Sequence, residues 1–154
     1  DGSPGEAMVK GPTLFSGYWN NPETNARDFA GGWFRMGDLF TRNEDGTVDF
    51  VGRAKYLIKS GGENIYPAEI EGVLLSDARV RDAIVVSAPD EKWGEVPVAV
   101  LASDVADTDE LARELISRCR EELAGYKVPR YFQVVDELPR NALGKVTKQV
   151  LRQD

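Results

Sequence analysis

The stretch GRAKYLIKSGGENIYPAEIE, Gly52 to Glu71, decides the fold of this chain. Gly52 closes a strand-like run, Thr47 to Val51. Arg53 and Lys55 follow one residue apart, and on extended backbone such a pair points the same way because side chains alternate. In the loop Lys59-Ser60-Gly61-Gly62-Glu63-Asn64 the paired glycines permit positive φ and close approach of another backbone or a ligand. The loop leads to Pro67, a residue suited to a first helical position. Ile70, Val73 and Leu74 then fall at i, i+3 and i+4 on one face of the helix it opens. Glu69 and Glu71 stand in the first turns, where carboxylates favour the helix macrodipole, and read as structural.

On either side of this stretch the pattern differs. Residues 1–50 are rich in turn formers and aromatics, with short strand-like runs at Ala7 to Val9, Trp33 to Met36 and Thr47 to Val51, and a helix over Pro22 to Phe29. Asp45-Gly46 between Phe40-Thr41 and Val48-Phe50 is a hairpin signal. After the stretch, AIVVSA (Ala83 to Ala88) and VPVAVL (Val96 to Leu101) read as buried strands. Asp107 with Glu110 resembles a capping box, and Leu111, Leu115, Cys119 and Leu123 follow at helical spacing. YFQVV (Tyr131 to Val135) is a third strand, and Thr147 to Arg152 a short terminal helix. Helix, strand, strand, helix, strand after an opening hairpin is a compact α/β domain.

A chain of 154 residues holds one ordinary domain, or a small domain with a fragment of another. Hydrophobic content of 42% and charged content of 29% are those of a globular protein. The net charge of −7 argues against non-specific nucleic-acid binding. With no histidine, Ser-His catalysis and His-based metal sites are excluded, and the lone Cys119 builds neither a zinc site nor an intrachain disulfide. No metal site is expected in these residues, and the reducing cytoplasm is the expected compartment. No apolar run approaches the roughly 18 residues of a membrane span, and no signal peptide is visible. The chain begins DGSPGE without an initiator Met, so it is expected to be part of something larger.

Three further groups of residues invite a chemical reading. In WFRMGD, ending at Asp38, a carboxylate after a glycine at a strand end can accept from two vicinal hydroxyls, as in ribose binding; it is also what an ordinary turn contains. LPRNALGKVTK (Leu138 to Lys148) is not a phosphate-binding P-loop, because Pro139 and Val146 occupy the positions that need Gly and Ser or Thr. A Lys on a Gly-containing loop is nonetheless a mobile point charge able to reach an anionic centre. Trp93-Gly94-Glu95 and Gly125-Tyr126-Lys127-Val128-Pro129-Arg130 combine aromatics and cations, which stack bases and neutralise phosphates or simply pack and solvate a surface.

WFRMGD, the Gly52–Glu71 stretch and PRNALGK, in this order and spacing, resemble the acyl-adenylate-forming enzymes: acyl-CoA synthetases, luciferases and peptide-synthetase adenylation domains. The resemblance implies an α/β (α+β) fold. Residues 55–154 would form the small mobile C-terminal domain, with a short β-hairpin, a three-stranded sheet and packed helices. Residues 1–54 would be a β-rich remnant of the large N-terminal domain leading to the hinge. It implies that Asp38 and Arg53 bind the nucleotide and that Lys55 is the hinge. Ser60, Gly61 and Gly62 would line the channel for the pantetheine arm of CoA, and Lys145 would be catalytic in adenylation. Trp93, Tyr126 and Arg130 match positions that contact the CoA nucleotide in some relatives. Many relatives carry Arg three residues after the catalytic Lys; here Lys148 stands there, and a weaker contact at the terminal helix is expected.

The implied reaction has two halves. A carboxylic acid and ATP, with Mg2+ held mainly by the N-terminal domain, give acyl-AMP and pyrophosphate; CoA then takes the acyl group and AMP leaves. SGGENIYPAEIE most resembles fatty-acyl and aryl-acid CoA ligases, which makes a medium- or long-chain fatty acid the first expectation. Transfer to a carrier-protein thiol, oxidative use of the adenylate, and a non-catalytic interaction module are the alternatives. Without an N-terminal domain the fragment is expected to be inactive. It is also expected to self-associate through residues 1–50, or leave them poorly ordered, because Phe15, Tyr18, Trp19, Phe29, Trp33, Phe34, Met36, Leu39 and Phe40 exceed what so short a segment can cover.

Overall fold

A computed structural model of the chain describes residues 2–151. It divides into two compact units, residues 1–55 and 56–154, one residue beyond the expected boundary.

The first unit is an antiparallel sheet built on one long strand. β1 (Gly5–Val9), α1 (Pro22–Asp28), β2 (Phe29–Ala30), β3 (Trp33–Arg42) and β4 (Val48–Arg53) follow in order, and β3 pairs with each of the other three strands. Pro22 opens α1, and Asn21 caps it by accepting from the Thr24 N–H at 3.1 Å. Asp45-Gly46 does mark a hairpin: Gly46 has φ of +87°, Asp45 accepts from the Thr47 N–H, and the ladder resumes at Arg42 opposite Val48. β3 runs well past the expected Trp33 to Met36. Gly37, at φ of +73°, and a register shift at Leu39/Phe40 bend the strand instead of ending it.

Phe15 meets Tyr18, Phe29 and Phe34 edge to face, with ring centroids 5.1 to 5.2 Å apart. These rings cover one another only in part. Among the described residues of this unit no side chain is fully buried, and Trp19 is 97% exposed.

The second unit has a true core. β5 (Ile58–Ser60) and β6 (Glu63–Ile65) form a hairpin, α2 spans Pro67–Leu75, and β7 (Asp82–Asp90) and β8 (Gly94–Ala102) form a long hairpin. α3 (Thr108–Glu122), β9 (Tyr131–Val135) and α4 (Lys148–Leu151) complete it. β8 pairs antiparallel with β7, parallel with β9, and with β5 through the single pair Ser60 and Gly94. The short hairpin and the three strands expected from sequence thus join into one five-stranded sheet. The expected terminal helix extends to Arg152, which lies outside the described residues.

Both faces of the β7–β8 hairpin are covered, which is why its strands read as continuous apolar runs rather than as alternation. Ala83, Val85, Ala99 and Leu101 pack with Ile70 and Leu74 of α2 and with Leu111, Leu115 and Cys119 of α3. On the other face Ile84, Val100 and Ala102 pack with Leu138, Val135, Val146 and Leu151. The second cluster matters for function, because it anchors the segment carrying Lys145. Asp107 accepts from the Glu110 N–H at 2.8 Å and starts α3 as its sequence predicts. Burial pushes the Cys119 thiol up to about 11, so it packs as a small apolar side chain. No helix among the described residues is long and apolar enough to cross a membrane.

Glu69 and Glu71 are structural for a reason different from the macrodipole. Glu69 pairs with Lys127 at 2.7 Å, and Glu71 accepts from the Val85 N–H at 2.8 Å and from Lys148 Nζ at 3.3 Å. Lys148 is half-buried, also facing the Tyr56 ring at 4.7 Å. The lysine in place of arginine therefore keeps an anchor at the terminal helix.

The turn after α2 carries a testable ion pair. The Asp77 carboxylate accepts from the Arg79 backbone N–H and from its guanidinium at 2.8 and 2.9 Å. The Arg79 side chain and then its N–H hold the Asp77 carboxyl down to about 2. A carboxylate depressed in the folded state stabilises above its ordinary range, and this contribution is lost as pH falls toward 2. Arg79 is 41% exposed, so solvent screens the pair. Asp77→Asn should lower unfolding free energy by about 1 kcal/mol at pH 7, with the gap to wild type closing between pH 4 and about 2 in urea titrations.

Candidate functional site

Three sets of side chains named from sequence occupy three places. In the first unit, Asp38 of β3 lies opposite Arg53, the last residue of β4. Arg53 Nε is 2.7 Å from Asp38 Oδ1, and an Arg53 terminal N–H donates to the Met36 carbonyl at 3.2 Å. The Asp38–Arg53 contact is an ion pair without the alignment of a hydrogen bond, so the buried Oδ1 has charge compensation but no donor. Oδ1 is buried against Arg53, so a hydroxyl-bearing ligand such as a ribose would reach it only with the Arg53 side chain moved aside. Asp38 is not at the end of its own strand, as expected; it sits mid-strand, at the end of its neighbour.

Lys55 also departs from expectation. Ala54–Tyr56 is a 3₁₀ turn, so the alternation that would aim Arg53 and Lys55 alike stops at Arg53. Both residues nevertheless line a depression of about 640 Å³, together with Arg35, Met36, Gly37 and Tyr18.

The glycine turn forms the second place. Gly61 and Gly62, at φ of +57° and +89°, make the two-residue loop between β5 and β6, as a hairpin turn with two positive-φ residues requires. The Gly61 N–H donates to the Trp93 carbonyl at 2.8 Å. Ser60, Gly61, Trp93, Tyr126 and Arg130 all line one cavity of about 380 Å³, closed further by Val96, Pro97 and Val128. Gly62 is in the turn but not among the lining residues. Glu63 lines the cavity as well, so aromatic and aliphatic walls with one cation and one carboxylate suit a slender, mostly apolar ligand with polar ends.

A methyl group on Gly61 would come within 2.7 Å of the Trp93 ring, in a backbone conformation that L residues rarely adopt. Gly61→Ala should therefore displace Trp93 and narrow the cavity. The expected readouts are a shifted Trp emission and a loss of about 1–2 kcal/mol of stability. An unchanged indole spectrum would refute the close packing.

Lys145 occupies the third place. Asn141 Oδ1 accepts from the backbone N–H groups of Leu143 and Lys145, both at 3.0 Å, and Gly144 turns the chain at φ of +78°. Arg140 donates to the Gly144 carbonyl at 2.6 Å and pairs with Asp82 at the start of β7. The loop is thus pinned from behind while the Lys145 side chain is exposed, with no partner among the described residues. Sequence reasoning missed Arg140 and Asn141. An Asn three residues before a Gly is a turn signal that was available for the second.

The second and third places lie at opposite ends of the β7–β8 hairpin. The glycine turn adjoins Trp93, held by Asp90 at the end of β7, while Arg140 is tied to Asp82 at its start. Eight residues of extended strand separate these ends by roughly 27 Å. Among the described residues no cluster of three or more acidic or Cys side chains could hold a metal ion.

Residues 69–145, half of the chain, match the family described as AMP-binding enzyme C-terminal domain, and the chain belongs to that family. A 2-succinylbenzoate–CoA ligase of Geobacillus kaustophilus is 48% identical over 149 residues, covering 96% of this chain and 30% of the relative. A long-chain-fatty-acid–CoA ligase of Mycobacterium tuberculosis is 40% identical over 149 residues, covering 97% and 29%. Among solved structures, the o-succinylbenzoate CoA synthetase of Bacillus subtilis, in complex with its acyl-adenylate intermediate, superposes with a TM-score of 0.89 at 44% identity. That match covers 99% of this chain and 31% of the other. The chain spans about a third of the length of these relatives.

Proposed function

We propose that this chain is the C-terminal part of an AMP-forming carboxylate–CoA ligase, with residues 1–54 completing a large N-terminal domain and 55–154 forming a mobile one. The observation that carries the reading is the separation of the glycine-turn cavity from Lys145. Two half-reactions at one retained intermediate need two different constellations, and a domain bearing them at opposite ends supplies them by turning. In the first half, a carboxylate oxygen bonds to the α-phosphorus of ATP, the bond to the β-phosphate oxygen breaks and pyrophosphate leaves. Lys145 would neutralise charge building on the carboxylate and α-phosphate, and Asp38 would accept from the ribose hydroxyls. Mg2+ would be held outside these residues. In the second half, the CoA thiolate bonds to the acyl carbon and AMP leaves. The cavity walled by Ser60, Gly61 and Trp93 would hold the pantetheine arm, with Tyr126 and Arg130 toward the nucleotide.

Relatives named for an aromatic and for an aliphatic acid match the same span at 48% and 40% identity, which supports a reading in which the acid is selected outside these residues. The test is the full-length ligase with ATP and CoA against a panel of medium- and long-chain fatty acids and 2-succinylbenzoate. AMP, pyrophosphate and acyl-CoA in equal amounts support the reading; ADP and phosphate, or no acid-dependent AMP, overturn it. A carrier-protein acceptor would show as adenylate formation without thioester on CoA. Cys119, lone and buried, suits a reducing cytoplasm.

Alone, residues 1–154 should be inactive. The partly covered aromatic rings of residues 1–50 should also make the isolated chain self-associate, with light scattering giving a mass above 17.0 kDa. A monomer whose residues 1–50 resist proteolysis would contradict this.

A further inference from the structure

Ile58 and Ile65 seat the β5–β6 hairpin in the core, but its backbone pairing to the sheet is sparse. Its one ladder pair with β8 is Ser60 opposite Gly94. Two further hydrogen bonds come from the residues on either side of Gly94. The Glu95 carboxylate accepts from the Lys59 backbone N–H at 3.1 Å, and the Trp93 carbonyl accepts from the Gly61 N–H at 2.8 Å. Three consecutive residues, Trp93 to Glu95, thereby grip three consecutive residues, Lys59 to Gly61. The gripping turn is itself braced: Asp90 Oδ1 accepts from the N–H groups of Lys92 and Trp93, both at 2.9 Å, and Gly94 sits at φ of +81°. Glu95 takes the place of a ladder bond that the backbone does not make.

We infer that Glu95 is a positioning residue for the Ser60–Gly62 turn, holding it where it walls the cavity shared with Trp93. The inference rests on the reading that this cavity takes the thiol arm of CoA. Glu95 is not among the residues that line the cavity, so it acts through the turn rather than on a ligand. What the site asks of residue 95 is an oxygen acceptor at one point; the negative charge is incidental. The order of effects follows. Glu95→Ala removes the acceptor, Glu95→Asp draws it back by one methylene while keeping the charge, and Glu95→Gln keeps an oxygen in place without the charge.

Two measurements test this. Amide hydrogen exchange on the 154-residue chain reads the bond directly: Glu95→Ala and Glu95→Asp should speed exchange at Lys59 and Gly61 by about tenfold or more, and Glu95→Gln should remain near wild type. In the full-length ligase, the same two variants should raise the KM for CoA by about tenfold with acyl-adenylate formation unchanged, and Glu95→Gln should restore it. A general loss of stability would slow both half-reactions together. Unchanged Lys59 exchange in Glu95→Ala overturns the inference, as does a Glu95→Gln variant that behaves like Glu95→Ala. If Glu95→Ala does not fold, Glu95→Asp carries both measurements. Wild-type enzyme that forms acyl-adenylate but no acyl-CoA would overturn the acceptor reading instead, and the exchange data would then decide the role of Glu95 alone.

Discussion

On the proposed function, Lys145→Ala in the full-length protein is expected to slow acyl-adenylate formation by about 10²–10³-fold and to leave thioester formation from supplied acyl-adenylate unchanged. The size follows from removing one charge, carried on a fixed backbone, from a transition state that accumulates negative charge. The selectivity follows from where Lys145 stands. Its backbone is held by Asn141 and its loop by Arg140, Leu138 and Val146, none of which the substitution touches. The loop should therefore keep its shape, and the loss should report the ammonium alone. Pyrophosphate exchange measures the first half-reaction, and AMP release from added acyl-adenylate and CoA the second. Equal losses in both would remove Lys145 from the adenylation step. Lys145→Arg should recover only part of the rate, because a planar fork does not replace a compact, mobile ammonium.

Lys55→Pro should divide the two half-reactions in the opposite sense. Lys55 lies in the 3₁₀ turn Ala54–Tyr56, where the two compact units meet in the chain. A proline ring holds φ near −65° and biases the preceding residue away from helical backbone, so the φ/ψ changes a hinge needs are restricted at two successive positions. Adenylation is expected to survive while the CoA step slows by about tenfold or more, an added barrier of about 1.4 kcal/mol or above. The same two assays decide it. A variant with an unchanged CoA half-reaction would show that Lys55 is not where the chain turns.

Much of this was legible before any coordinates. Pro67 with Ile70, Val73 and Leu74 specified α2, and Asp107 with Leu111, Leu115 and Cys119 specified α3, because capping and helical periodicity are local properties of the chain. The apolar runs at Ala83 and Val96 announced strands covered on both faces. Motif order placed Asp38, Arg53, Lys55, the glycine turn and Lys145 among the residues to watch. Local rules failed where backbone geometry departed from the assumed state: Lys55 sits in a 3₁₀ turn rather than a strand, and β3 bends through Gly37 rather than stopping.

By itself, then, the sequence determined which elements form and named the residues for which roles are proposed. Which of those residues meet was decided only by the tertiary structure. Trp93 closes over Gly61, 32 positions away in number, and Arg140 reaches Asp82 across 58 residues, because β8 takes β5 on one side of its turn and β7 along its length. A strand's own residues state its faces but not its neighbour or register; those depend on the partner strand and on the packing that seats it. That same register sets the glycine turn and Lys145 at opposite ends of one hairpin. The separation is a property of the assembled sheet, and no segment of the chain contains it.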